Sequence, residues 1–109
     1  MEGGASRYIA TSSDGASSAA RALRRIVFHG WGWEDFTYWA GADKKMLRRL
    51  LRLIEEARRT PFDGAGKPEP LRGNLAGFWS RRIDDEHRLV YGATDDELIV
   101  IQARYRYDG

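Results

Sequence analysis

Apolar positions along the chain change period three times, and each change marks an element. Arg25 to His29 (RIVFH) is a short β-branched and aromatic run stopped by Gly30, the pattern of a strand. From Trp31 to Ala42 the spacing lengthens. Trp33, Phe36, Tyr38, Trp39 and Ala40 recur at helical intervals, with Glu34 and Asp35 in the early turn, where a helix dipole favours carboxylates. Coincidence with the helical period assigns this aromatic stripe to the core rather than to a base-stacking surface. Gly41 ends that helix and Asp43 can cap the next, in which Met46, Leu47, Leu50, Leu51, Leu53, Ile54 and Ala57 follow three- and four-residue steps as far as Arg59. Thr60 to Gly73 (TPFDGAGKPEPLRG) then holds all three prolines and reads as a long loop, a kind of segment that is usually functional inside a small domain. Strand-like runs return at Phe78 to Ile83, His87 to Ala93 and Leu98 to Tyr105. Acidic turns at Asp84-Asp85-Glu86 and Thr94-Asp95-Asp96-Glu97 make two successive hairpins of them. The predicted order is β-α-α-β-β-β, an α+β domain with two helices on one face of a small, mostly antiparallel sheet and the other face open.

Composition narrows the class. At 109 residues and 42% apolar the chain has room for one domain and one modest core. The Gly-, Ala- and Ser-rich start shows no sustained period, so residues 1–24 are expected to be a disordered N-terminal extension and residues 25–109 the folded domain. Zero cysteines exclude disulfides, thiolate zinc sites and a cysteine nucleophile, and they fit a reducing compartment. No apolar run reaches membrane-spanning length and the first residues lack a secretory h-region, which makes a cytoplasmic protein with no membrane partner the expectation. Net charge is only +2, but the distribution is lopsided. Between Lys44 and Arg82 eleven Lys and Arg stand against Glu55, Glu56, Asp63 and Glu69, an electrostatic footprint for a polyanion if it is more than a solvated helix face.

Candidate chemistry collects between Lys67 and Tyr91 (KPEPLRGNLAGFWSRRIDDEHRLVY). Glu69 sits between Pro68 and Pro70, which fix their own φ and push the glutamate toward extended geometry, so its carboxylate has few places to go. That stiffness suits a general base, and equally a rigid surface loop carrying a solvated acid. Strand alternation directs Leu89 and Tyr91 to the helices and Arg88 and Val90 to the open face. Arg81 and Arg82 must point to opposite sides, and the pattern does not choose between them. Guanidiniums grip phosphate with paired hydrogen bonds, and the rings of Phe78, Trp79 and Tyr91 are of the kind that stack on unpaired bases. His29 and His87 stand in no base-acid spacing and are read as structural. The consecutive acids of the turns cannot converge on one ion, no thiolate supports them, and no Gly-rich phosphate loop opens a helix. Neither a metal nor a nucleotide cofactor is expected.

Over Arg25 to Tyr107 the sequence resembles the YoeB/Txe toxins of the RelE/ParE superfamily, through WEDFTYW, RRTPF, GKPEPL, NLAGFWSRRI, EHRLVY and the terminal RYRY. The resemblance implies a toxin of a bacterial type II toxin-antitoxin pair, an mRNA endoribonuclease working on the translating ribosome and silenced by a YefM/Phd-like antitoxin. Operator DNA would be reached only through the antitoxin, and the family resemblance allows a homodimer. Carried over by motif, the family's glutamate is Glu69, its central arginine Arg88 and its C-terminal tyrosine Tyr107, with Lys67, Arg72 and Arg82 as supporting basic positions. The implied chemistry uses no metal: a ribose 2′-OH attacks the adjacent phosphate, Glu69 takes its proton and the arginines hold the developing charge. Arg106 departs from the family pattern, standing where relatives have a histidine, and Asp108 and Gly109 extend past the usual terminal tyrosine. Arginine steadies phosphate charge but does not release a proton near neutral pH, so leaving-group protonation falls to Tyr107, to water or to the ribosome.

Two other readings follow from the same residues. A catalytically weakened chain would survive as an RNA-binding, translation-blocking or DNA-autoregulating partner of an antitoxin. Alternatively the basic face is only a dock for an acidic antitoxin segment that folds on binding.

Overall fold

The computed structural model describes residues 23–105. Most of the expected N-terminal extension, and Arg106 and Tyr107 at the other end, lie outside the described residues. Arg24, expected in the extension, is fastened to the domain: its Nε donates to the Thr94 carbonyl at 2.6 Å and its Nη1 to that of Arg58 at 3.1 Å.

Strand β1 (Arg25–Phe28), helix α1 (Gly32–Ala42), helix α2 (Lys44–Arg59), strand β2 (Glu69–Pro70), a 3-10 turn (Gly73–Leu75), and strands β3 (Trp79–Arg82), β4 (Arg88–Ala93) and β5 (Glu97–Gln102) follow in order. The sheet runs β1-β5-β4-β3-β2, parallel between β1 and β5 and antiparallel elsewhere, with α1 against β5 and α2 against β4 and β5. This is the expected α+β layering. Met46, Leu50, Leu53, Ile54 and Ala57 form the buried stripe of α2 and meet Leu89, Tyr91, Leu98 and Val100 from the sheet. Burying a leucine or isoleucine from this stripe contributes roughly 1.5–3 kcal/mol of transfer free energy. Asp43 caps α2 as its position predicts, its side chain accepting the backbone N–H groups of Lys45 and Met46 at 3.1 Å each. Helix α1 begins so close to β5 that a Cβ on Gly32 would overlap the Val100 carbonyl oxygen, and only glycine allows that approach.

Three local expectations change. The aromatic stripe of α1 is only partly core: Trp39 is buried and Phe36 packs against the core, but Trp33 is 58% and Tyr38 42% exposed. The face that α1 turns inward is Gly32, Asp35 and Trp39, and it carries a carboxylate. A 3.6-residue period identifies a stripe but cannot say which of two stripes meets the sheet. The loop of residues 60–73 contains β2, pairing Glu69 with Ser80 and Pro70 with Trp79, a strand too short to show alternation. Pro70 has no N–H to give a further neighbour, so β2 is an edge. Lastly, β5 stops at Gln102 rather than Tyr105, because the backbone groups of Ala103 go to side chains of α1.

Candidate active site

The loop that delivers Glu69 is nailed down from beneath. Arg81 is fully buried, and its guanidinium donates to the carbonyls of Thr60 (2.6 Å), Asp63 (2.8 Å) and Ala65 (3.1 Å) and, through Nε, to the Tyr91 hydroxyl (3.0 Å). Tyr91 in turn donates to the Pro61 carbonyl at 2.6 Å. Burial pushes the Tyr91 phenol above its ordinary range, and the hydrogen bond and charge of Arg81 only partly offset that. Gly66 is held with φ +85, a Cβ there would press on Arg81 and Leu53, and its carbonyl accepts the Arg82 N–H at 2.7 Å. Lys67 follows in the left-handed region with φ 52, after which Pro68 and Pro70 bracket Glu69 in extended backbone. The arginine that the alternation pattern left open is thus divided: Arg81 serves the core side, and Arg82 is exposed on the other.

The register brings a small polar set together on the open face. Glu69 lies opposite Ser80, Ser80 opposite Val90, and Arg82 opposite Arg88. Arg88 Nη1 donates to Ser80 Oγ at 3.0 Å and reaches Glu69 Oε2 at 3.5 Å. The Glu69 and Arg88 side chains are 58% and 40% exposed, so their ion pair adds little to stability and both remain available to a ligand. Like charges directly opposite one another on a sheet are destabilising, so Arg82 facing Arg88 favours an anion there. Lys67 and Arg72 flank β2 and are exposed. The structure thus joins Glu69 to Arg88, puts Arg82 across from Arg88, and leaves Lys67 and Arg72 at the rim. Arg106 and Tyr107 are outside the described residues.

Other candidates resolve differently. The Tyr91 ring is buried and cannot stack on a base, while Trp79 is half-buried against Phe62 and Phe78 half-buried over Gly92. Of the eleven cations between Lys44 and Arg82, Arg81 is interior, Arg58 and Arg59 pair with Glu55, and Arg49 donates to the Ile83 carbonyl; part of the apparent polyanion footprint is therefore structural. The acidic turn is a turn. Asp84 Oδ1 accepts the N–H groups of Glu86 (2.9 Å) and His87 (2.7 Å). Partial burial raises the Asp84 carboxyl, but those donors, with the charge of Arg49, bring it below its usual value. Among the described residues no group of three His, Cys, Asp or Glu converges as a metal site would require. Sequence reasoning missed Ser80, 1% exposed and the anchor of Arg88, because a serine among strand residues carries no signal until the β2–β3–β4 register is known.

With this geometry in place, the comparisons with known proteins are specific. Residues 28–107 match the model of the YoeB-like toxin of bacterial type II toxin-antitoxin systems. The chain is 59% identical over 83 residues to a Toxin YoeB of Streptomyces coelicolor, covering 76% of this chain and 99% of that one. It is also 59% identical over 85 residues to Toxin RelK of Mycobacterium tuberculosis, covering 78% and 100%. Among solved structures it is similar to a YoeB/ParE toxin from Agrobacterium tumefaciens (TM-score 0.71, 46% identity, 76% of this chain and 99% of that one). It is likewise similar to the Staphylococcus aureus YoeB dimer (TM-score 0.72, 38% identity, 78% and 99%) and the YoeB-YefM complex of the same species (TM-score 0.72, 38% identity, 77% and 98%).

Proposed function

The chain belongs to the YoeB-like toxins of bacterial type II toxin-antitoxin systems, and on that premise we propose that it is a ribosome-dependent mRNA endoribonuclease acting without a metal. The observation that carries the proposal is the placement of Glu69 Oε2 3.5 Å from Arg88 Nη1 on the face of the sheet away from the helices, with both side chains exposed, held there by a loop that the core side immobilises. Glu69 accepts the proton of a ribose 2′-OH as that oxygen bonds to the adjacent phosphorus. The P–O5′ bond breaks as the new P–O2′ bond forms, leaving a 2′,3′-cyclic phosphate and a 5′-hydroxyl end. Arg88 and Arg82 steady the charge on the phosphoryl oxygens, and Lys67 and Arg72 bind the flanking backbone. Tyr107 gives the leaving oxygen its proton, directly or through water. Arg106, which cannot release a proton near neutral pH, contributes charge only.

The partners follow from the same premise. A YefM-type antitoxin is the silencing partner, as the YoeB-YefM complex of Staphylococcus aureus supports, with the basic open face as its docking surface on this chain, and a homodimer is the free form, as that species' YoeB dimer supports. Ribosome and message are the targets in the cytoplasm, and operator DNA is bound through the antitoxin. Among the described residues no helix is long and apolar enough to cross a membrane. The test is a translating extract with mapping of message 5′ ends. New ends that vanish with Glu69→Gln are expected; an intact message at high toxin concentration overturns the reading. The substitution of arginine at position 106 favours one rival, a binding-only toxin. It predicts stalled translation with no new ends and no effect of Glu69→Gln.

A further inference from the structure

Beyond Gln102 the chain leaves the sheet, and the backbone of the next three residues is received by side chains from three different places. The Ala103 N–H donates to Asp35 Oδ2 at 2.9 Å and its carbonyl accepts from Trp39 Nε1 at 2.9 Å. The Arg104 carbonyl accepts from Gln102 Nε2 at 3.1 Å, and the Tyr105 N–H donates to His87 Nδ1 at 2.9 Å. Arg104 also lays its guanidinium 3.6 Å from the centre of the Tyr38 ring. Ala103 and Asp35 are both fully buried. Replacing the buried Asp35 by an apolar residue would leave the buried Ala103 N–H without this acceptor, and through that bond the carboxylate ties the core to the path of the tail. The anchor nearest the end is the most informative: His87 immediately precedes Arg88 in the chain, its ring turned to the helix side against Trp39, so Tyr105 is held at the residue next to the central arginine of the site.

We infer that Asp35, Trp39, Gln102 and His87 form a clamp that fixes the backbone from Ala103 to Tyr105, the point from which the chain continues to Arg106 and Tyr107, and that protonation of His87 opens it. The inference rests on the nuclease reading for its consequence, since Tyr107 lies two residues, at most about 7 Å of chain, beyond the last anchor. His87 is a positioning residue. To accept the Tyr105 N–H its Nδ1 must carry a lone pair, so the single ring proton sits on Nε2, 3.7 Å from Glu86 Oε1. A second proton would set an N–H against the Tyr105 N–H and break the contact. Imidazole is the side chain whose charge ordinarily changes between about pH 5 and 8. The charged groups around this ring are Glu86 and Asp84 of its own turn, Arg49 of α2, which donates to the neighbouring Ile83 carbonyl, and Arg104 of the tail; from α1 the contact is the uncharged Trp39, edge to face at 4.9 Å.

Two substitutions separate acceptor from ring. In His87→Asn the amide oxygen takes the place of Nδ1 and does not titrate; His87→Phe keeps the ring against Trp39 and removes the acceptor. The full chain is assayed for single-turnover message cleavage on programmed ribosomes from about pH 6 to 8, alongside the backbone amide resonance of Tyr105. The wild-type rate is expected to fall on the acid side, with the Tyr105 amide shift following the His87 ring titration. His87→Phe should lower the maximal rate by about ten- to a hundredfold with the half-saturating concentration little changed. His87→Asn should restore most of the rate and remove the acid fall. A Phe variant at wild-type rate, an Asn variant with the wild-type acid limb, or a Tyr105 amide that ignores the ring titration each overturns the clamp. Should His87→Phe fail to fold, the Asn profile and the amide decide. If the wild-type chain does not cut, or Glu69→Gln cuts equally well, the nuclease reading is what falls, and the Tyr105 amide still tests the clamp.

Discussion

Tyr91→Phe removes one oxygen and changes nothing else in shape, yet the expected loss of stability is large. That oxygen donates to the Pro61 carbonyl at 2.6 Å and accepts from Arg81 Nε at 3.0 Å, in a site where Tyr91 and Arg81 are both fully buried. No water can replace it without opening the loop. A hydrogen bond to a charged partner is worth about 1.5–3 kcal/mol and a neutral one about 0.5–1.5 kcal/mol, so the loss should be about 2–4 kcal/mol. In a domain of this size each kcal/mol moves Tm by about 4–8 °C, which places the variant at least about 8 °C below the parent. Urea unfolding followed by tryptophan fluorescence measures this directly, with an unchanged m-value as the check that only stability moved. The alkaline side gives an independent readout. Because burial raises the folded phenol above its ordinary value of 10.0, the unfolded chain ionises first; the contribution is complete below that pH and is lost as pH rises through the folded value. The variant lacks this limb, so its deficit should shrink above about pH 10. A deficit below about 0.5 kcal/mol at neutral pH would show that the hydroxyl is not sealed in, and the account of how the loop is held would fail.

Four further outcomes test other parts of the structure. Ser80→Ala takes away the 3.0 Å anchor of Arg88 and should lower the cleavage rate about tenfold while changing stability by about 1 kcal/mol, read by single-turnover kinetics and urea unfolding. Glu69→Gln should abolish cleavage, with a melting curve within about 0.5 kcal/mol of the parent, because its ion pair is exposed. Asp43→Ala removes the only side-chain cap of α2 and should cost about 1 kcal/mol in a chemical melt. Asp84, whose folded carboxyl lies below its ordinary value of 3.8, contributes stability that is present above that pH and lost as pH falls through the folded value; Asp84→Asn should flatten this acid limb in pH-dependent urea melts.

What the sequence disclosed divides along physical lines. Helix α2 was legible because seven apolar residues at helical spacing, five of which the structure buries, and an aspartate cap all point to one answer. The order of the elements other than β2 and the open-face position of Arg88 were legible for a similar reason, since alternation needs only neighbours in sequence. Register does not. That Ser80 touches Arg88, or that Arg82 rather than Arg81 shares its face, depends on which residue of β4 lies across from which residue of β3, and local pattern carries no information about this. Asp35 misled for a deeper reason. In the first turn of a helix an acid is explained by the dipole, so nothing local indicates that its oxygen is needed by Ala103, 68 positions away.

The two faces of the sheet divide the labour in a way that explains why so little of the site is stabilising. On the covered face the polar groups are interior and multiply bonded, as Arg81 with its three carbonyls and Tyr91 shows. On the open face the Glu69–Arg88 ion pair is exposed at 3.5 Å and weak. A base that must accept a proton and an arginine that must meet a phosphate cannot be committed to strong internal partners, because substrate would have to break them first. The chain therefore places its expensive interactions one layer below, where they fix the backbone at Thr60, Asp63 and Ala65, and lets Pro68 and Pro70 carry that rigidity forward to Glu69. The tail follows the same logic, with the buried Asp35 holding backbone so that residues nearer the site need not hold each other.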